Sequence, residues 1–225
     1  MILQGSRSGR LTFALLVLPA LGIMLALTVW PLANGVVMSF TNASPLQPRT
    51  EWIGLENYEY VLTDPLFWEV LGNTALLVLL SVALSLVAGF ALALVLSAGI
   101  RFLAFWRTAV FLVWIVPWIA VAILWGWMFN ATYGVNNWIL QSIGLIAEPL
   151  NFFADATLAR VAIILGFSWR LVPFMMVISL VAIQSVPREL HEAAALDGAS
   201  YWRRLFHIVL PMVRPVLAIA ATNSW

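Results

Sequence analysis

Long apolar stretches alternate with short polar ones along this chain. A bilayer-spanning helix needs about 20 mostly apolar residues, and four stretches meet that need: residues 11–37, 70–98, 108–129 and 161–183. A fifth begins near residue 208 and continues to residue 225. The first stretch exceeds the apolar region of a signal peptide, so we interpret it as a retained span. Because backbone groups in lipid must bond within their own element, and no alternating ten-residue strands are present, the pattern predicts an all-α polytopic membrane protein.

Composition supports the same class and excludes several kinds of site. The chain is 63% hydrophobic and 9% charged, whereas soluble domains have roughly 25% charged residues. It has no Cys and two His, which excludes disulfides and thiolate metal sites and argues against a histidine metal centre. We therefore expect no cofactor or metal in this chain.

Charge alternates between the loops. Arginines concentrate in residues 1–10, 99–107 and 184–208, whereas acidic residues dominate residues 38–69 and 130–160. Lys and Arg in short loops mark the cytoplasmic side. The pattern therefore predicts a cytoplasmic N-terminus (1–10) and two further cytoplasmic loops, with 38–69 and 130–160 outside.

The first outer loop contains the aromatic-rich segment "EWIGLENYEYVLTDPLFWEVLGNT". Thr63 or Asp64 before Pro65 predicts a helix start with proline in the first turn. We expect this loop to be folded and to hold an interfacial helix. Its aromatic residues suit either a membrane-interface belt or a docking surface, and the residues alone leave both open.

A charged, alanine-rich patch interrupts the apolar pattern inside the loop 184–208. Pro187 suits the first turn of a helix, and Ala193, Ala194 and Ala195 keep that helix thin enough for close approach of another surface. Gly198 supplies a residue on which the chain can turn.

A second short helix is predicted directly after that glycine. Ser200 is a suitable N-cap, and Trp202 and Phe206 share a face at i and i+4. Pro211 marks the return into the bilayer. On physical grounds the patch is either a protein-docking knob or an amphipathic loop lying on the headgroups.

The patch resembles the EAA loop of the membrane subunits of binding-protein-dependent ABC importers, whose pattern is E-A-A, three residues, G, nine residues, I-x-L-P. The matching positions, with the acid before the glycine, are Glu192, Ala193, Ala194, Asp197, Gly198, Ile208, Leu210 and Pro211. The segments "WIGLENYEYVLTDPLFWEVLGNT" and "FSWRLVPFMMVISLVAIQSVPRELHEAAALDGAS" are similar to maltose-type sugar permeases. The resemblance runs from about residue 11 to residue 217.

This resemblance implies a type I importer permease fold in the cytoplasmic (inner) membrane of a prokaryote. The family usually has six core spans, with the coupling loop between the fourth and the fifth, and this sequence stops within the fifth.

The matched positions would contact a separate ATPase subunit, which would bind ATP and Mg, so the chain itself would not be an enzyme. Expected partners are two ATP-binding cassette subunits, a second permease, an extracytoplasmic solute-binding protein and the bilayer, with no nucleic acid. Together they would transport a di- or oligosaccharide or related polyol by alternating access.

The substrate path has candidate residues in the third and fourth spans. A helix over 108–129 would place its aromatic residues on one flank, as packing or as a stacking wall for a sugar: Phe111, Trp114, Trp118, Trp125 and Phe129. Pro117 would loosen this helix between Trp114 and Trp118, which suits either interpretation. Arg170 lies near the middle of the fourth span, where a lipid-exposed charge is costly. We expect it to pair within the bundle or to line the path beside Trp169, and Pro173 could free carbonyls to hold it.

Small residues recur at every fourth position of the second span: Ser81, Ser85, Gly89, Ala93 and Ser97. Such a repeat lets a neighbouring helix approach closely. We interpret it as a packing surface.

Other functions remain as alternatives. Within the importer class, the solute could be a non-sugar such as glycerol phosphate. A secondary transporter driven by an ion gradient would need coupling-ion ligands, commonly intramembrane carboxylates, and the four complete spans contain no Asp or Glu. A membrane enzyme could draw on Asp64, Glu69 and Asp155, but no catalytic spacing joins them.

Overall fold

The computed structural model describes residues 7–44, 49–99 and 101–222. The predicted N-terminal segment up to residue 6, and the last three residues of the fifth span, lie outside this part. The chain divides into two compact units, Met1–Gly72 and Asn73–Trp225. Among the described residues the structure is helical, with one isolated antiparallel bridge between Thr41 and Trp52. The predicted all-α fold is therefore confirmed.

Four helical runs in the described part are long and apolar enough to cross a membrane: Phe13–Met38, Pro65–Ser97, Ala156–Gln184 and Tyr201–Thr222. A pair of shorter helices, Leu103–Ile115 and Trp118–Met128, makes a fifth crossing if the two are counted as one broken span.

The first unit begins with a long helical run. Helix α1 (Arg7–Met24) continues through a π-helical segment (Leu25–Val29) into helix α2 (Trp30–Met38), and helix α3 (Glu56–Thr63) follows. The loop between α2 and α3 is held by its own contacts. The Phe40 and Trp52 rings stack with centroids 5.5 Å apart, and the Asn57 Nδ2 donates to the carbonyls of Ser39 and Thr41, both at 2.9 Å. The described residues of this segment are thus folded and contain a helix, as predicted.

Helix α4 (Pro65–Ser97) starts where the sequence predicted. The Asp64 Oδ1 accepts a hydrogen bond from the Leu66 amide at 2.9 Å, so Asp64 rather than Thr63 provides the cap. Further along, the predicted packing surface is confirmed for its first four members: Ser81, Ser85, Gly89 and Ala93 are buried, whereas Ser97 is exposed.

The span predicted over 108–129 is divided into helices α5 (Leu103–Ile115) and α6 (Trp118–Met128), and the break lies at Pro117, the residue expected to loosen it. The two are bent by 95° at Val116 and Pro117, whose backbones are extended with ψ of 125° and 143°. The prediction of one aromatic flank along this span is therefore wrong, because the bend turns the second half away from the first.

The second predicted outer loop contains helix α7 (Val135–Ser142) and the start of helix α8 (Ala156–Gln184). The Asp155 Oδ1 caps α8 by accepting from the amides of Thr157 and Leu158 at 2.9 and 2.8 Å. Between the two helices the chain is held by the buried Asn137, whose amide exchanges hydrogen bonds with both backbone groups of Leu150.

Helix α8 is the centre of the second unit. It packs against α5, α6 and the last helix, α11 (Leu210–Thr222). Its contact with α4 is close: the Ser168 hydroxyl donates to the Ser81 carbonyl at 3.2 Å, and a Cβ on Gly89 would lie 2.5 Å from the Met175 Cβ. The small residues of α4 therefore allow two spans to touch at backbone distance.

Each π-helical segment precedes a proline. The segments Leu25–Val29 and Leu205–Val209 end two residues before Pro31 and Pro211. In each, the residue after the segment donates its amide five residues back, Trp30 to Leu25 and Leu210 to Leu205. A proline ring clashes with the carbonyl four residues earlier in an ordinary α-helix. The wider turn gives the ring room, so the helix continues through the proline.

Candidate functional site

The charged, alanine-rich patch forms a short helix between two long ones. Helix α9 (Arg188–Leu196) follows α8 after a turn at Pro187, which is the N-cap, one position before the first turn in which it was predicted. Val186, on the α8 side of the turn, is buried among core residues of α8 and the C-terminal helical run. This anchor fixes where α9 leaves the bundle.

Gly198 ends α9 in a left-handed conformation with φ of +72°. The Ala199 amide donates to the Ala194 carbonyl at 2.9 Å, and the Gly198 amide donates to the Ala195 carbonyl at 3.1 Å. This pair of bonds is a Schellman motif, which favours glycine because other residues are strained at positive φ. Nothing lies within 4 Å of a Cβ placed on Gly198, so the backbone conformation alone requires glycine there. The predicted turn is confirmed.

The following helix is capped by Ser200, whose Oγ accepts from the Arg203 amide at 3.4 Å. The Trp202 and Phe206 rings stack with centroids 6.2 Å apart, which confirms their shared face. The prediction of a separate short helix before the return into the bilayer is wrong. Helix α10 (Tyr201–Arg204) runs through the second π-helical segment into α11, because that segment accommodates Pro211 without a break.

The residues that match the EAA pattern fall on two different surfaces. Those of the first part lie on α9 or its terminal turn, where Ala194 is half-buried and the others are exposed: Glu192, Ala193, Ala194, Asp197 and Gly198. Those of the second part lie in the next helical run. There Ile208 packs against the core, Leu210 is half-buried and Pro211 is exposed.

An exposed leucine adds to the surface of α9. Leu196 is 91% exposed, the largest exposed fraction among the large hydrophobic side chains that the structure describes. No residue of α9 is buried. Leu196 was not among the predicted site residues, although its place directly after the three alanines and before Asp197 marks it as the one large apolar side chain at this end of the helix.

Arg170 lies at the break between α5 and α6. Its Nε donates to the Val116 carbonyl at 2.9 Å, and its guanidinium carbon lies 4.0 Å from the centre of the Trp118 ring. In an unbroken helix the Ala120 amide would bond to that carbonyl, but it bonds to Pro117 instead. Arg170 therefore binds a carbonyl that the break has released.

The carbonyl that holds Arg170 was attributed to the wrong proline. Pro173 was predicted to free the carbonyl, but that residue is buried within the uninterrupted helix α8. Pro117 interrupts its helix, and the residue before it, Val116, supplies the carbonyl. The two residues are 54 positions apart, so no local pattern indicated the pair.

The predicted path residues do not form one wall. Trp114 stacks on Phe174 with ring centroids 6.0 Å apart, and the ring centroids of Trp118 and Phe167 are 4.8 Å apart. The ring centroids of Trp169 and Trp125 are 6.1 Å apart. Each pair joins α5 or α6 to α8, so these rings pack helix against helix. The structure brings Arg170 and Trp118 together, and it places Trp114 and Trp169 in separate contacts.

Comparison with known families and proteins identifies relatives that match most of this chain. The model of the family described as "Binding-protein-dependent transport system inner membrane component" matches residues 85–225. The trehalose/maltose transport system permease protein MalF of Thermococcus litoralis is 34% identical over 206 residues, covering 92% of this chain and 69% of the relative. The sulfoquinovosyl glycerol transport system permease protein SmoG of Agrobacterium fabrum is 36% identical over 214 residues, covering 94% of this chain and 68% of the relative.

A solved structure shares the fold. A chain in the crystal structure of a bacterial ABC transporter that imports the acidic polysaccharide alginate superposes with a TM-score of 0.80. The two are 26% identical, and the superposition covers 97% of this chain and 73% of that one.

Proposed function

This chain belongs to the family of inner membrane components of binding-protein-dependent transport systems, and we propose that it forms half of the translocation pore of an ATP-driven sugar importer. It is a multi-pass membrane protein. Its pore would open alternately to each side of the membrane, while the hydrolysis of ATP, with its Mg, takes place on a separate subunit.

The form of α9 is the observation that carries this proposal. A nine-residue helix is attached at both ends to long spans, through the turn at Pro187 and the left-handed Gly198, and buries none of its own residues. Such a helix has little reason to stay folded in isolation, since short helices are marginal in water. A partner groove that covers the exposed Leu196 and bonds to the Glu192 carboxylate would stabilise it. The ATPase subunit is the partner we propose.

The remaining partners follow from the same assembly. Two ATP-binding cassette subunits would bind on the cytoplasmic side, and a second permease or a second copy of this chain would complete the pore. A solute-binding protein would deliver the substrate from outside. The arginine-rich loops support a cytoplasmic N-terminus and a cytoplasmic α9.

The sugar class rests on the relatives. Their names include trehalose, maltose, sulfoquinovosyl glycerol and, for the DasB permease of Streptomyces coelicolor at 34% identity, diacetylchitobiose. All of these are sugars or sugar derivatives. We propose a di- or oligosaccharide, or a related polyol, as the solute.

Co-purification tests the role of α9, using the protein co-expressed with its candidate ATPase. Two variants alter α9, Glu192→Gln and Leu196→Ser. Two matched controls make the same changes in the loop that we place outside, at Glu148 and Leu145, both exposed. We expect the ATPase to be lost from both α9 variants and retained by both controls. Equal retention by all four would show that α9 is not the docking element.

Labelling tests the orientation separately. The sequence contains no cysteine, so single variants Leu196→Cys and Leu145→Cys each carry one reactive thiol. A membrane-impermeant maleimide applied to intact cells should label the Leu145 variant only. Labelling of the Leu196 variant alone would show that the topology is the reverse of the one proposed.

The solute class is tested by ATPase stimulation in the reconstituted complex. The cognate solute-binding protein is loaded with maltose, trehalose or glycerol 3-phosphate in parallel. We expect stimulation by a sugar. Stimulation by glycerol 3-phosphate alone would retain the transport role and overturn the sugar assignment.

A further inference from the structure

A cavity of about 620 Å³ lies behind α9, where the ends of α4 and α8 meet the start of α10. Its polar lining includes Arg188 and His191 on α9 and Tyr201 and Arg204 on α10. Ser97 and Gln184 complete it at the ends of the two spans. None of the described residues lining the cavity is Asp or Glu. The cavity therefore holds two permanent positive charges without an opposing carboxylate.

Arg204 is the residue that most needs a partner. Its Nε is buried and has no hydrogen-bond partner among the described residues. Buried donors are normally satisfied, and an unpaired buried donor on a charged group is costly. Its neighbour in the chain, Arg203, is exposed and does not line the cavity. Arg204 therefore lies on the cavity side of the helix, whereas Arg203 does not.

The other side of the cavity is apolar. Leu94, Ile183, Val186, Leu205 and Val209 line it, and Val186, Leu205 and Val209 belong to the buried core beneath α9. A ligand that fills the whole cavity would place oxygen acceptors against the arginines and hydrocarbon groups against these apolar residues. Phosphate esters have that character, and guanidinium groups bind phosphate oxygens in a bidentate manner.

We propose that this cavity binds a phosphate ester, with Arg188 and Arg204 as its ligands. Basic pockets between spanning helices near the cytoplasmic surface suit the headgroups of anionic phospholipids. A soluble phosphorylated compound offers the same oxygens. A bound phosphate would bridge α9 to α10 at the base of α4 and α8, and so would hold the angle at which α9 leaves the bundle. This site goes beyond the proposed transport function, because it lies on residues outside the EAA pattern.

The experiment uses the full-length protein, purified and reconstituted into nanodiscs of phosphatidylcholine alone. In one arm phosphatidylglycerol is added to the nanodiscs, and retained lipid is measured by native mass spectrometry. In the other arm glycerol 3-phosphate is titrated and the shift in melting temperature is followed. The variants are Arg204→Gln and Arg188→Gln, with Arg203→Gln as the control that removes the same charge from the neighbouring position of α10.

We expect one of the two probes to bind the parent protein. The Arg204→Gln and Arg188→Gln variants should bind it about tenfold more weakly or worse, as for the loss of one charged hydrogen bond, while Arg203→Gln binds like the parent. Binding of phosphatidylglycerol identifies a lipid site, and binding of glycerol 3-phosphate identifies a soluble ligand.

Two results would overturn the proposal. One is that neither probe binds. The other is that Arg203→Gln weakens binding as much as the cavity variants, which would indicate general surface attraction. Because Arg188 is exposed, its variant should fold even if Arg204→Gln does not. Retention of the ATPase is measured in parallel, so a failure of the docking role of α9 is seen independently.

Discussion

The Arg170 Nε of α8 and the Val116 carbonyl at the end of α5 are 2.9 Å apart, at the point where the α5–α6 pair bends by 95°. The carbonyl has lost its helical donor, and the guanidinium lies at a depth where it needs a polar partner. Each group thus satisfies the other. The bend and the intramembrane charge depend on one another, and the Trp118 ring covers the guanidinium.

Removing this charge should destabilise the bend. We expect Arg170→Leu to lower the free energy of unfolding by about 1.5–3 kcal/mol, the contribution of a hydrogen bond to a charged group. Trp118→Leu keeps the hydrogen bond but removes the ring over the cation together with its contact to Phe167, and we expect the cation–ring contact to account for about 0.5–2 kcal/mol of the loss. Thermal unfolding of the purified protein in nanodiscs gives both values. An Arg170→Leu variant that is as stable as the parent and yet transports poorly would instead assign Arg170 to the substrate path.

Gly198 should be needed for its backbone conformation. Gly198→Ala puts a side chain at φ of +72°, where we expect a strain of about 1–2 kcal/mol and fraying of the last turn of α9. Gly99→Ala is the matched control, since Gly99 has φ of +73° with equally open surroundings. The two variants should lose similar stability, but only Gly198→Ala should reduce the amount of ATPase that co-purifies. A reduction of the same size in Gly99→Ala would attribute the loss to general destabilisation.

Gly89 should be intolerant of any side chain. In Gly89→Ala the new methyl group would lie 2.8 Å from the Met176 backbone nitrogen, so α4 and α8 must move apart at a cost of about 1–3 kcal/mol. Gly72→Ala on the same helix meets nothing within 4 Å and should be neutral or slightly stabilising. Melting temperatures of the two variants in the same lipid compare them directly. Equal melting temperatures would contradict the close approach of α4 and α8.

Asn137 should hold the segment between α6 and α8. Its amide nitrogen contacts the carbonyls of Asn130, Ala131 and Leu150, and its amide oxygen accepts from the Leu150 amide at 2.9 Å. Asn137→Ala leaves these partly buried groups without their partner, and we expect a loss of about 1–3 kcal/mol.

Protection of the Leu150 amide from hydrogen exchange should fall in the same variant. Gln141→Ala removes one exposed 3.5 Å contact in the same segment and should change little. Unchanged protection at Leu150 in the Asn137 variant would show that the amide side chain does not hold this segment.

Local signals in the sequence predicted the ends of the helices well. Asp64, Ser200 and Gly198 act on backbone groups within a few positions, so their roles are visible in a short window of sequence. The small-residue repeat of α4 also indicated packing correctly, because an i, i+4 pattern places its members on one face.

The tertiary partners could not be predicted in this way. Pro117 and Pro173 look alike in sequence, yet one breaks its helix and the other lies inside an uninterrupted one. The difference depends on what satisfies the carbonyls around each proline, and for Pro117 that group is Arg170 from another helix. The cavity behind α9 likewise joins Arg188 and Arg204 to the ends of two distant spans.

Crosslinking at the tip of α9 tests the central claim most directly. A Leu196→Cys variant, in a chain that has no other cysteine, is co-expressed with the ATPase subunit and treated with a thiol-to-amine crosslinker, with Leu145→Cys as the control. We expect the Leu196 variant to form a crosslinked product with the ATPase and the Leu145 variant to form none. If the Leu196 variant forms no product although the ATPase co-purifies with it, α9 is not the element that docks on the ATPase.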